Sequence, residues 1–480
     1  MVSIMNQKFA HLVIAAFLLI FTACSTARHE MPITTSSEEA LGLFITGRDL
    51  NENGERFTGD SILMQAIDLD PDFALAHLYL SMGDGINNAK SLASKVTPGE
   101  KLLIQAYGAR QSGNTNLAVI TIDSLINLFP KDKHCLYYAN KVYYRNNADK
   151  ALEYLYKAIK SDPYYAAAYN LLGYELIELQ RYDEAREAFL RYLDIYPESE
   201  NIIDSYAEML FITGEEREAL NQYKKVKLYD PTNSFVNVKI AWLNIFFENY
   251  IEAVNTCTDL YNSDPASKEK EWGVCMMANI EFIQGNLSGA LEIMDSYIQQ
   301  LYEENNLYGL LLAIHQKGWY ALRGDVHNLA IEFFTDGIEL INDSINIADD
   351  ENMLVMGLHG GLSVAYGEML MKEKSKYHLN IARSLYAAYG PQYYSKGLLN
   401  SYEAAYDNMN GNYDMAISHL TSPATSVSSA QKYYLAKTND LSGNKEQAIL
   451  FYNKLIKSLD QYFAGFFYNE SRERLSKLSQ

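Results

Sequence analysis

Cysteine and proline are scarce in this chain, at 4 and 10 of 480 residues, and basic residues are outnumbered, with 40 Lys and Arg against 60 Asp and Glu. So little proline beside 48% apolar residues excludes a disordered chain and fits a folded, helix-rich one. The formal net charge of −20, with Lys and Arg gathered into no stripe, excludes a phosphate-binding surface, so nucleic acid is not an expected partner. The same balance argues against electrostatic docking on anionic lipid. Beyond Cys24 the cysteines are Cys135, Cys257 and Cys275, an odd number that excludes a disulfide framework. Cys257 and Cys275 pair if their helices face each other; the other reading is small buried thiols. HExxH and CxxC are both missing, and no two of the nine histidines sit three or four apart on one expected helix, so neither a metal nor a cofactor is expected. Strand-like alternation bounded by hairpin turns is also missing.

An apolar run long enough to span a bilayer is lacking too. Leu12 to Phe21 form ten apolar residues behind Lys8, a length that suits a secretory signal peptide over residues 1–23. The segment Phe21-Thr22-Ala23-Cys24 resembles the bacterial lipobox, with Phe21 where that motif usually has Leu. The resemblance implies that Cys24 is lipidated and begins the mature protein, anchoring it in the bacterial cell envelope, at the outer membrane. Removing residues 1–23, which hold one Lys and no acid, takes the net charge from −20 to −21. Acyl chains buried at about 0.8 kcal/mol per methylene would hold the protein at a membrane. Residues 24–37 follow as a tether without apolar periodicity.

What the chain has in abundance is a repeat. Pro130, Pro163, Pro197, Pro231 and Pro265 are spaced 33, 34, 34 and 34 residues apart, and twelve residues before each stands an alanine: Ala118, Ala151, Ala185, Ala219 and Ala253. Around Pro163 to Pro197 the segment PYYAAAYNLLGYELIELQRYDEAREAFLRYLDIYP resembles the tetratricopeptide repeat. Tyr169 stands at its first large aromatic, Leu172-Gly173 at its Leu-Gly pair, and Ala185, Phe189 and Pro197 at its Ala, Phe and terminal Pro. Gly173, Ala207, Ala241 and Cys275 let the first helix of each hairpin approach the second, and the proline stops the second helix. Fainter copies follow at Gly285-Asn286 with Ala290, Gly324-Asp325 with Ala330, Gly411-Asn412 with Ala416 and Gly443-Asn444 with Ala448. The expected fold is therefore all-α, a superhelical solenoid of about ten or eleven antiparallel hairpins. Its expected divisions are 38–132 with an insertion at 84–99, a regular array at 133–265, and degenerate repeats at 266–480.

Motifs that suggest chemistry fall away on inspection. His359-Gly360-Gly361-Leu362-Ser363-Val364-Ala365 approaches a nucleophile elbow, but its second glycine is Ala365 and no strand precedes it, so the small residues read as helix contacts. Gly83-Asp84-Gly85 lacks the Lys and Ser/Thr of a phosphate loop and reads as a turn. No catalytic residue is expected.

In this repeat family the first helices line an inner groove. Carrying its register across places His134, Tyr137, Lys141, Tyr144 and Arg145 there, then Asn170, Tyr174, Ile177 and Glu178. Asn201, Asp204, Glu208, Phe211 and Ile212 follow, then Phe235, Val238, Trp242, Ile245 and Phe246, and last Glu269, Trp272, Met276 and Asn279. Aromatic and Met side chains in a groove bury large areas at low entropy cost, which suits a hot spot for a protein or peptide partner. The alternative is that packing between repeats or a C-terminal helix covers these rings. The function expected is a non-catalytic, lipid-anchored scaffold. A surface glycan-binding lipoprotein similar to the SusD family is the other reading, since that family also joins a lipidated Cys to such helices. An enzyme carrying the repeats as an accessory finds no room outside residues 40 to 460.

Overall fold

The computed structural model describes residues 30–480 apart from 82, 145, 198, 230, 232, 263–267, 343–348, 394–395, 422–427 and 459–464. The segment expected as a signal peptide and Cys24 lie outside the described residues, as does Pro265. Among those described there is no strand, and successive helices pack in antiparallel pairs. No described helix is long and apolar enough to cross a membrane.

Contacts divide the chain into two units, Met1–Tyr206 and Ala207–Gln480. In the first, Glu38–Glu52 pairs with Arg56–Leu69, Ala74–Tyr79 with Gly85–Leu92, Pro98–Gln111 with Thr115–Leu128, Lys133–Tyr143 with Ala148–Ser161, and Ala166–Glu178 with Tyr182–Ile195. The stretch 84–99, expected as an insertion, thus supplies a helix of its own. In the second unit the pairs run from Ser234–Phe246 with Tyr250–Tyr261 to Ser429–Leu441 with Lys445–Ile456, and a 3-10 turn, Gly465–Phe467, leads into the last helix, Tyr468–Leu478.

The repeat's landmarks do the physical work expected of them. Ala118, Ala151, Ala185, Ala219 and Ala253 are all buried, and so are Ala290, Ala330, Ala416 and Ala448 of the fainter copies. A Cβ on Gly173 would meet the Phe189 ring at 2.5 Å, so that glycine sets the helix separation. Gly318 stands in the same relation to Phe334, sixteen residues on, which carries the hairpin geometry into a region without the proline. Helices of the regular array stop two residues before Pro130, Pro163, Pro197 and Pro231. Where Gly-Asn replaces that punctuation, Gly285 and Gly443 take positive φ (84° and 81°), which costs glycine least, and Asn286 and Asn444 cap the next helix.

His359-Gly360-Gly361 lies inside the helix Asp349–Glu368, where Gly360 abuts Tyr402 and Gly361 abuts Phe334. Ser363 is buried and faces Ser375, as a packing residue would. Cys135, Cys257 and Cys275 are free, buried thiols, and burial pushes Cys257 up to about 12.

Candidate functional site

Residues expected to line the inner face do converge, but on segments of their own chain. In the first unit the corner Glu52-Asn53-Gly54, which ends the first helix, lies against them. Glu52 accepts from His134 Nδ1 at 2.8 Å and from Tyr165 OH at 2.7 Å, and its carbonyl accepts from Tyr137 OH at 3.2 Å. The Asn53 carbonyl accepts from Tyr192 OH at 3.2 Å and Asn201 Nδ2 at 2.8 Å. The last carbonyls of a helix have no partner within it, so these side chains satisfy a buried helix end. Burial would raise the Glu52 carboxyl, but His134, Arg48 and Tyr165 outweigh it and hold the group at about 2.

Asp49, Glu52 and His134 bring potential ligand atoms within 4.8 Å of one another. Arg48 already sits on Asp49 at 2.9 Å, so a cation occupies that corner and the cluster reads as an ion-pair network. Lys141 extends it, its ammonium 4.4 Å from the Tyr137 ring centroid and brought down to about 8 by burial.

The tether's described end is held to the body as well. Met31 N donates to Asp132, Thr34 N and Oγ1 to Glu100, and Thr35 Oγ1 and Ser36 N to Asp70, at 2.6 to 2.8 Å. Residues 31–36 therefore run across three successive turns between hairpins.

In the second unit the C-terminal segment takes the equivalent place. Phe466 stacks on Trp319 at 5.5 Å, Phe467 on Tyr433 at 4.1 Å, and Tyr468 meets Trp242 edge-on at 5.3 Å. Asn469 donates to the carbonyls of Phe282 and Ile283, again at a helix end. Buried Arg323 pairs with Glu368 at 2.6 Å and Glu470 at 3.4 Å, and Lys437 pairs with Glu470 at 3.1 Å.

These segments, together with packing between neighbouring helices, decide the surface left on the candidates. Trp242, Phe211 and Met276 are fully buried, and Trp272 and Tyr137 nearly so, so as placed they offer a partner nothing. Trp272 packs with Val238 and Leu260, and Phe211 with Phe246. Ile177, Val238, Ile245 and Asn279 are buried too. Asn170, Tyr174, Asp204, Glu208, Ile212 and Phe246 are half-buried, Tyr174 lying edge-on to Phe189. Glu178 is exposed, Tyr144 is 40% exposed and Phe235 59%. Arg145 and the side chain of Glu269 lie outside the described residues.

Sequence reasoning missed Tyr165, Tyr192 and the Glu52 corner, because the partner comes from 82 to 139 residues away and no period encodes it. It also missed that His359 and His378 meet across a hairpin, Nδ1 to Nδ1 at 2.9 Å.

Residues 143–209 match the tetratricopeptide repeat family. No curated protein sequence matches the chain. Among solved structures, a tetratricopeptide repeat protein from Parabacteroides merdae is 15% identical, covering 54% of this chain and 92% of that one, with a TM-score of 0.34. PilF of Pseudomonas aeruginosa is 16% identical over 49% of this chain and 96% of its own, TM-score 0.30. MamA is 20% identical over 34% and 91%, TM-score 0.29.

Proposed function

We propose that this chain is a non-catalytic scaffold, anchored through a lipid on Cys24 in the bacterial cell envelope, that holds a protein or peptide partner against its helical hairpins. The observation that carries the reading is what the inner positions already do. Tyr137 and Asn201, joined by Tyr192 of a second helix, hold the carbonyls of the Glu52-Asn53 turn of a distant hairpin by side-chain hydrogen bonds. Such positions hold peptide backbone without regard to its sequence, and neighbouring side chains then select the occupant. Next to these positions Tyr144 and Glu178 in the first unit are exposed to solvent, as is Phe235 in the second. The tetratricopeptide match at 143–209 supports the same reading, since it begins beside Tyr144 and spans Glu178.

The anchor and the partner are tested together. Cells expressing the full chain are fed an alkyne-bearing fatty acid, and Cys24→Ser is run beside it; label on the parent and none on the variant is expected. An unlabelled parent, or a labelled variant, removes the anchor. A photo-crosslinking residue is then placed at Tyr144, at Glu178 or, as a control, at Ile251, which is 82% exposed on the second helix of a hairpin. One defined adduct from the first two positions and not from Ile251 is expected. Adducts from Ile251 alone would move the docking face elsewhere.

A further inference from the structure

Away from the inner positions, the second unit carries an open recess of about 400 Å³ between the helices Leu287–Glu303, Leu307–Arg323 and His327–Asn342. Its floor is apolar, made by Ile298, Ile314 and Leu340, and its rim is acidic. One end shows how a cation sits here. Lys317 lies with its ammonium 3.9 Å from the Phe333 ring centroid, and Asp295 neutralises it. At the other end Asp336 and Glu339, three residues apart on one helix face, are exposed and have no ion-pair partner among the described residues. The recess therefore sets an anionic rim over an apolar floor at both ends.

We propose that this recess is a second docking surface, and that it takes a basic amphipathic segment of a protein partner. An apolar side chain of that segment fills the floor. A neighbouring Lys or Arg lays its aliphatic stem along Leu340 and sets its charged head between Asp336 and Glu339, as Lys317 does beside Asp295. Tyr302, 47% exposed at the edge, covers the segment's flank. An acidic segment is rejected by the same carboxylates, and a purely apolar one leaves them buried without a counter-charge.

The test uses the full chain and a fluorescein-labelled helical peptide in which Lys alternates with Leu and Phe so that one face is basic and the other apolar, read by fluorescence anisotropy. Binding that weakens as salt is raised is expected, with at least a tenfold loss in the double variant Asp336→Lys, Glu339→Lys. Because the chain carries a net charge of −20, a control reverses two exposed acids elsewhere in the unit, Glu373→Lys and Asp414→Lys, and is expected to bind as the parent does. Circular dichroism establishes that both variants keep their helices. Equal loss in the control would assign the binding to bulk charge and overturn the site. So would undiminished binding by the recess variant, or equal binding of the same peptide with every Lys replaced by Glu. A small polyamine that competes fully with the peptide at equal concentration would likewise overturn it, since the apolar floor would then contribute nothing.

Discussion

Acidification from pH 7 to pH 5 is expected to act on the two units in opposite directions. In the second unit His315 accepts a hydrogen bond on Nε2 from the Trp319 indole at 3.0 Å, and burial lowers it to about 4. A proton on that nitrogen would set one N–H against another. His359, buried, and His378, half-buried, face each other through Nδ1 at 2.9 Å, and both are brought to about 4, His359 by burial and then by His378, and His378 by burial and then by Lys374. The unfolded chain binds these protons near pH 6.5 and the folded one near 4, so stability falls as pH drops through that window. Going from pH 7 to 5, His315 accounts for about 2 kcal/mol. The pair shares one hydrogen bond and is partly screened, so it adds about 1 kcal/mol. In the first unit burial pushes Glu175 up to about 7, against the hydrogen bond it receives from Asn140. Here the folded state takes the proton first, and stability rises by about 2 kcal/mol over the same interval. Glu52, held at about 2, begins to weaken the first unit only below pH 4.5. Hydrogen exchange read by mass spectrometry, corrected for the intrinsic pH dependence, separates the units. Faster exchange in Leu307–Arg323 and slower exchange in Ala166–Glu178 at pH 5 are expected, with the first effect cut by about two thirds in His315→Gln, which leaves the share of the His359–His378 pair, and the second lost in Glu175→Gln. Movement in the same direction in both units, or effects undiminished by those substitutions, would refute the assignment.

Other perturbations have definite outcomes. Trp242→Ala is expected to destabilise the second unit by about 4 kcal/mol, read in a urea melt, because the indole is fully buried against Tyr468; loss of a partner with stability unchanged would contradict that burial. Gly173→Ala places a Cβ 2.5 Å from the Phe189 ring, and overpacking of about 2 to 3 kcal/mol less about 1 for helix propensity leaves a net loss of about 1 to 2 kcal/mol. A stabilised variant would show that the two helices part freely. Glu470→Ala removes the acid that Lys437 and Tyr433 share and leaves Glu368 as the one acid on Arg323 among the described residues, for a loss of about 3 kcal/mol, with limited proteolysis releasing Tyr468–Leu478 first.

The hairpins were legible because their packing rule is local. A small residue must stand wherever two helices cross closely, so the alanines from Ala118 to Ala448 mark nine second helices whether or not a proline survives to end them. Gly318 and Phe334 keep the spacing of Gly173 and Phe189 even though the helices around them have lengthened. The state of the inner face was not legible for the converse reason. Trp242 and Trp272 sit at positions that this repeat register turns inward, and nothing in a 34-residue period says whether water, a partner or the chain itself lies opposite. The answer came from Glu52 to Gly54, the turn of the first hairpin, and from Gly465 to Leu478, after the last, whose contacts lie far away in sequence. The pairing of His359 with His378 was hidden likewise, since it depends on how two helices of one hairpin face each other.

Some of the chain's 38 tyrosines serve one purpose in the same segments. A helix that ends against packed side chains leaves carbonyls that water cannot reach, and each costs free energy unless a donor arrives. Phenylalanine would fill the space equally well and supply no donor. Tyr137 and Tyr192 reach the carbonyls of Glu52 and Asn53 at a helix end, while Tyr320 and Tyr402 reach the carbonyls of Cys275 and Gly357 inside neighbouring helices and Tyr169 that of Pro163 in a turn. Tyrosine thus combines an apolar body for packing with a hydroxyl for a carbonyl behind it. Hairpins built this way accept an inserted corner or a terminal segment without leaving its backbone unpaired. That is the property an interaction scaffold needs, and here part of the capacity is already taken by the chain itself, which confines a partner to the stretches its own segments leave open.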